Sequence, residues 1–183
     1  MKFDRRRFLQ SSFFIGFAIA TKKGWSNKLP TPAIERRDLF PQGVASGDPT
    51  ANSVILWTRR PPEQDSVAKT LVAEISTTPE FKKILAGGKA HINADSDWTC
   101  RFLTRDLEPN REYWYRFIDE HGFASRIGRT ITAPSADSDT PVRFTFVCCQ
   151  CPNEAALNAY RKMIFEDEAR SREQQLNFVI QKC

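Results

Sequence analysis

Apolar and polar residues alternate in short runs through the middle of the chain and gather into denser apolar runs near its end. Val54-Ile55-Leu56-Trp57-Thr58 is β-branched and aromatic and is closed by Pro61-Pro62, which predicts a strand. Leu71-Val72-Ala73-Glu74-Ile75 predicts a second, and the stretch around Trp98–Leu103 a third. Between these two, Glu80–Leu85 predicts one helical turn, ended by Gly87-Gly88. Leu107-Glu108-Pro109-Asn110 then turns into a strand over residues 113–118. In it Tyr113, Tyr115 and Phe117 share one face, and Trp114, Arg116 and Ile118 the other. Strand-borne aromatics at this alternation belong to a core. Gly122 marks a hairpin, with His121 in its turn, and Ile127 to Ile131 returns. Short strands with turn signals every 8 to 15 residues or so indicate an antiparallel β-sandwich of about 100 residues. We place it at residues 40–134.

The pattern changes after the polar linker 135–141. Val142–Cys148 has few polar positions and predicts a strand buried on both faces, as in a parallel sheet. Asn153 and Glu154 open a helix running to about Gln175, with Ala156, Tyr160, Met163 and Ile164 as the stripe that would cover the sheet. Leu176–Ile180 is a second apolar run. Strand, helix, strand is one βαβ unit, and ligands of such sheets sit beyond the carboxyl ends of the strands. Cys149, Gln150 and Cys151 fall there. Residues 142–183 are thus the incomplete start of an α/β domain.

The first 20 residues read as a targeting segment. Arg5-Arg6-Arg7-Phe8-Leu9 fits the twin-arginine pattern, with Arg5, Arg6, Phe8 and Leu9 as its signature residues. Ser11–Ala20 is apolar but too short for a bilayer span, which needs about 20 residues; it suits a signal h-region. Ala18-Ile19-Ala20 offers an A-x-A cleavage site. The expectation is export by the twin-arginine translocation machinery to the periplasm or beyond, with no stable membrane span after cleavage. Residues 21–39 are polar and Pro-containing, and read as a linker.

Composition adds mostly exclusions. The net charge is +5, but Lys2, Arg5, Arg6 and Arg7 against Asp4 carry three of those charges. The remainder offers no basic face for nucleic acid. Cysteine occurs at 100, 148, 149, 151 and 183 without a Cys-x-x-Cys pair, and neither His91 nor His121 is near the cluster, which argues against structural zinc. From the residues alone Cys149 is either a ligand or a small buried hydrophobe. Cys148 points to the opposite strand face, toward a core. Cys151 has Cys100 or Cys183 as possible disulfide partners, and spacing does not choose between them. Asp48, after Gly47 and before Pro49, is turn chemistry. Glu166 to Arg172 is a solvated helix face, with Glu168 and Arg172 at i,i+4.

Several stretches, in order, resemble the PhoD-type alkaline phosphatase/phosphodiesterase family. They are the twin-arginine leader; Phe40 to Pro49 (FPQGVASGDP) with Val54 to Arg59; Leu107 to Arg116; Gly128-Arg129-Thr130 with Thr132-Ala133-Pro134; and Phe146 to Gln150 with Ala159-Tyr160-Arg161 and Met163 to Glu168. Leu107-x-Pro109-x-x-x-Tyr113-x-Tyr115 also resembles the tyrosine corner of fibronectin type III domains. The resemblance implies a β-sandwich followed by a metallophosphoesterase domain holding iron and calcium, and a phosphoester substrate for the full-length family. It places Cys149 at the family's Cys ligand position. The family's second strand leads to a Gly-Asp-x-Ile-Tyr motif; here Gln181-Lys182-Cys183 stand instead. Most metal ligands are therefore missing, since a two-metal site needs several hard oxygen and imidazole donors around one cleft. The expectation is a fragment that is inactive as it stands and binds neither iron nor calcium. The alternative is an exported, non-enzymatic β-sandwich interaction module.

Overall fold

The computed structural model describes residues 18–20, 29–63, 67–148 and 158–182. It divides into two units, Met1–Ala136 and Asp137–Cys183.

The first unit is a β-sandwich. One sheet contains β1 (Ala18–Ala20), β3 (Val44–Gly47), β4 (Val54–Arg59) and β7 (Thr99–Thr104), in the order β1-β7-β4-β3. The other contains β2 (Ile34–Glu35), β5 (Thr70–Ser76), β6 (Ala86–His91), β8 (Glu112–Asp119), β9 (Phe123–Ala124) and β10 (Gly128–Ile131). Its order is β2-β9-β8-β5-β6, with β10 also paired to β8. The central pairings are antiparallel, Leu56 opposite Phe102 and Ala73 opposite Phe117. Alternate residues point into one core: Val54 and Leu56 from β4, Phe102 from β7, Leu71, Ala73 and Ile75 from β5, and Tyr113, Tyr115 and Phe117 from β8. Trp57 and Trp114 take the outward positions between them and are half-buried. Burial of these aliphatic and aromatic side chains, each contributing roughly 1.5–3 kcal/mol, is what holds the sheets together.

Two expectations for this unit need correction. Residues 80–85 form no helical turn. Phe81 adopts a left-handed conformation (φ 51°) after the Thr78–Glu80 turn, and Phe81 and Ile84 are both buried. Burying those two side chains outweighs the local helical pattern, and Gly87 and Gly88 lie inside β6, opposite Glu74 and Ala73. Nor are residues 29–39 a linker. β2 pairs in parallel with β9, and Leu39 and Phe40 are in the core.

The second unit contains β11 (Phe144–Cys148), α1 (Asn158–Glu168) and β12 (Phe178–Lys182). β11 and β12 pair in parallel, Phe144 opposite Phe178 and Cys148 opposite Lys182. The helix ends at Glu168, well short of Gln175, because Ser171 is extended (φ −61°, ψ 151°) and Asp167 Oδ1 accepts the Leu176 N–H at 2.7 Å. β11 is not buried on both faces. Phe144 and Phe146 are 54% and 74% exposed, because a sheet face is buried only where a second layer packs on it. Cys148, expected in a core, is exposed for the same reason. On α1, Tyr160 and Met163 are half-buried, but Ile164 is exposed. Among the described residues no helix is long and apolar enough to cross a membrane.

Candidate functional site

The expected site lies past the carboxyl ends of β11 and β12. Cys149, Gln150, Cys151 and Cys183 are outside the described residues, as are Arg5, Arg6, Phe8 and Leu9. What is described at this end is the Cys148 thiol, free and exposed, in register with Lys182. Among the described residues no three His, Cys, Asp or Glu side chains gather where they could hold a metal ion. The described residues thus offer no donor set that fits iron or calcium. His91 ends β6 and His121 sits in the β8–β9 turn, and both are exposed. His121 lends that turn its backbone: its N–H, like that of Phe123, donates to Asp119 Oδ1.

Cys100 is free and buried between the sheets, and burial pushes its thiol up to about 12. It stays protonated near neutrality and has none of the thiolate character that metal binding or disulfide exchange requires. Asp48 has φ 50° and is exposed in the turn after β3, a conformation Asp tolerates better than most residues. Ala18 and Ala20 lie in β1, where Ala18 pairs with Phe102 and Ala20 with Thr104.

Sequence reasoning missed two buried ion pairs in the sandwich. Arg60 and Asp119, both fully buried, meet at 3.2 Å, and Arg60 also donates to the Pro61 carbonyl at 2.7 Å. Asp119 thereby joins the end of β4 to the β8–β9 turn. Glu74, 1% exposed, accepts two N–H bonds from Arg116 at 3.0 and 2.8 Å. It also accepts from the Thr31 N–H and hydroxyl, at 2.9 and 2.6 Å. Arg116 returns a bond to the Thr31 carbonyl at 3.0 Å and lies 4.6 Å over the Phe81 ring. The available signal was a lone charge inside each strand run, Glu74 in LVAEI and Arg116 in YWYRFI. A buried charge is tolerated only with partners.

The residues of the FPQGVASGDP stretch are architectural. Phe40 is in the core, and Gly43 (φ 69°) takes a backbone conformation that L side chains rarely adopt. Burial pushes the ionisation of the Tyr115 hydroxyl up to about 12, with Ser46 beside it lowering it slightly. The Tyr115 ring covers its cross-strand neighbour Gly128 so closely that a Cβ there would lie 2.4 Å from Cζ. Tyr113 makes the expected corner, its hydroxyl accepting the Glu108 N–H at 2.8 Å. Thr132 Oγ1 donates to the Glu108 carbonyl at 2.6 Å. Three of the stretches that carried the family resemblance thus meet around two tyrosines.

Comparison with known proteins agrees with that arrangement. Residues 25–134 match the family model described as PhoD-like phosphatase, N-terminal domain. Alkaline phosphatase D of Bacillus subtilis (strain 168) is 31% identical over 176 residues, covering 90% of this chain and 30% of that protein. A solved structure described as "Structure of PhoD" superposes with a TM-score of 0.67 at 30% identity, over 78% of this chain and 27% of that one. The chain thus spans about 30% of the length of the curated relative it matches. With the family model covering more than half of its residues, the chain belongs to the PhoD-like phosphatase family through its N-terminal domain.

Proposed function

We propose that this chain contributes the β-sandwich and the opening strand–helix–strand of an exported phosphoester hydrolase of the alkaline phosphatase D type. The observation that carries the reading is the match to that enzyme along 90% of the chain, through both units. In this reading the sandwich is of the fibronectin type III kind, and β11 begins the metallophosphoesterase domain. Cys149, directly after β11, is the position for a metal-binding thiolate. Residues 1–20 direct export by the twin-arginine route and are removed after Ala20, which puts the product in the periplasm or outside the cell.

The 183 residues on their own do not hydrolyse phosphomonoesters or phosphodiesters. The residues that match the family's pattern supply one metal-binding thiolate, whereas holding two ions with a water between them takes several oxygen and imidazole donors. The test uses the purified 183-residue chain with an aryl phosphodiester and an aryl phosphomonoester, with iron and calcium supplied. No turnover above a buffer blank is expected; metal-dependent turnover that chelation abolishes overturns the reading.

A second reading, an exported interaction module without catalysis, is favoured by one observation. Among the described residues, every buried apolar residue lies between Leu39 and Ala124. Cooperative unfolding of residues 24–141 alone supports it, and failure of that segment to fold removes it.

A further inference from the structure

The two sheets of the sandwich end beside each other on one side, at β7 and β6. In that seam lies β1, paired in parallel with Phe102–Thr104 and running alongside β6 as well. β1 covers only the second half of β7, leaving Thr99, Cys100 and Arg101 with no strand on that side among the described residues.

We propose that this seam is a strand-acceptor site for an extended apolar peptide, and that its resident occupant is the chain's own segment Ala18–Ala20. Three observations carry it. An edge strand presents a row of backbone donors and acceptors that invites another strand, and β1 supplies one in register. The occupant has the chemistry of such a peptide, since Phe17-Ala18-Ile19-Ala20 is uncharged and apolar. Finally, the fit is incomplete. The Thr104 hydroxyl is fully buried and has no hydrogen-bond partner among the described residues, and its neighbour Ala20 has no polar side chain to offer. A buried hydroxyl without a partner lowers the stability of the docked state, so the strand can be released.

One consequence rests on the reading of residues 1–20 as a leader. While Ala18–Ala20 is a rung of this sheet, it cannot lie extended in a processing peptidase. Folding of the sandwich then withholds the cleavage site until the strand is released.

The test is amide hydrogen exchange across residues 99–106. It compares the full chain, the full chain carrying Ile19→Pro, and the chain lacking residues 1–20. Exchange in the centre of β5 reports that the sandwich is folded in each. Removing residues 1–20 should speed exchange at Phe102–Thr104 about tenfold with β5 unchanged. Ile19→Pro should do the same, because proline has no N–H for the ladder. A synthetic peptide of residues 16–22 should restore slow exchange saturably in the shortened chain, and its Ile19→Pro version should not. Equal exchange in all three chains, or no saturable restoration by the peptide, overturns the proposal. N-terminal sequencing of the exported protein tests the leader separately. An unprocessed terminus would remove the leader reading while leaving the acceptor seam to the exchange data.

Discussion

Gly128 shows how one residue can carry a family pattern without touching any chemistry. A methyl group there would meet the Tyr115 ring at 2.4 Å. That ring is buried and edge-on to Phe117 at 6.3 Å. Gly128→Ala should therefore destabilise the sandwich by about 1–3 kcal/mol, the cost of overpacking. Urea unfolding reads it, and the companion Tyr115→Leu should recover part of the loss by freeing the space. If Gly128→Ala is neutral in the wild-type background, the ring is not where it is placed. The same tyrosine, with Cys100, sets an alkaline limit. Both are pushed up to about 12 by burial, from ordinary values of 10.0 and 9.0. Each is neutral when protonated, so the folded state holds these protons more tightly than the unfolded state. The stability they contribute is full below about pH 9 and is lost as pH rises toward 12, at up to about 1.4 kcal/mol per pH unit for each group. The urea midpoint should fall from pH 9 to pH 11. Cys100→Ala should remove the part of the fall that starts near 9, and Tyr115→Phe the part that starts near 10. A midpoint that holds steady to pH 11 would contradict the assignment. At this scale the sequence was legible as stretches but not as contacts. Ser46, Tyr115 and Gly128 stand out in order along the chain, yet their meeting depends on a fold that brings β3 and β10 together.

Among elements, the alternating strands were the easiest to read. β4 and β7 alternate in burial throughout, and β5 and β8 alternate over their first residues before becoming buried on both faces, at Ala73–Ser76 and Phe117–Asp119. The errors came where tertiary contacts override local pattern. Phe81 and Ile84 turn a helix-like run into a buried loop, and the polar lead-in is held by one carboxylate. Glu74 joins Thr31 to Arg116, and so fastens the segment before β2 onto the outer face of β5 and β8. No local signal in the lead-in marks it as part of the sandwich, because its anchor lies about forty residues away. Glu74→Ala removes the acceptor and leaves a largely buried guanidinium, 15% exposed, without its partner. The expected cost is about 3 kcal/mol. Exchange at the Ile34 and Arg36 amides, which bond to Gly122 and Ala124, should rise more than exchange in the centre of β5. A uniform rise at both places would mean that the clamp supports the whole sandwich rather than the lead-in.

Across the whole molecule, the contrast is between a unit that buries a core and one that does not. Among the described residues, the hydrophobic core lies in the first unit. In the second, Phe146, Phe165 and Ile180 are 74%, 75% and 46% exposed, and α1 has no buried residue. The strand–helix–strand order and the parallel pairing were legible from the apolar runs, because those runs are long and separated by a helical stretch. Phe144, Phe146 and Cys148 share the exposed face of β11, while Thr145 and Val147 on the other face are half-buried. The stacked pair Phe144–Phe178, with centroids 5.3 Å apart, fixes the register at one end of that sheet. It does little to hold the sheet shut against local opening. Segments with few buried apolar contacts open at low free-energy cost and are cut first. Brief digestion of the folded chain with chymotrypsin should therefore cleave at Phe144, Phe146, Phe165 or Phe178 before any site within residues 40–134. It should leave a fragment containing the complete sandwich that unfolds cooperatively in urea. Early cuts at Phe102, Tyr113 or Phe117 would mean that the sandwich opens as readily as the strand–helix–strand, against the burial of all three residues. A second unit that resists digestion as long as the first would mean that its exposed apolar face is covered in solution. The concentration dependence of that resistance would then separate a second copy of the chain from closure within one molecule.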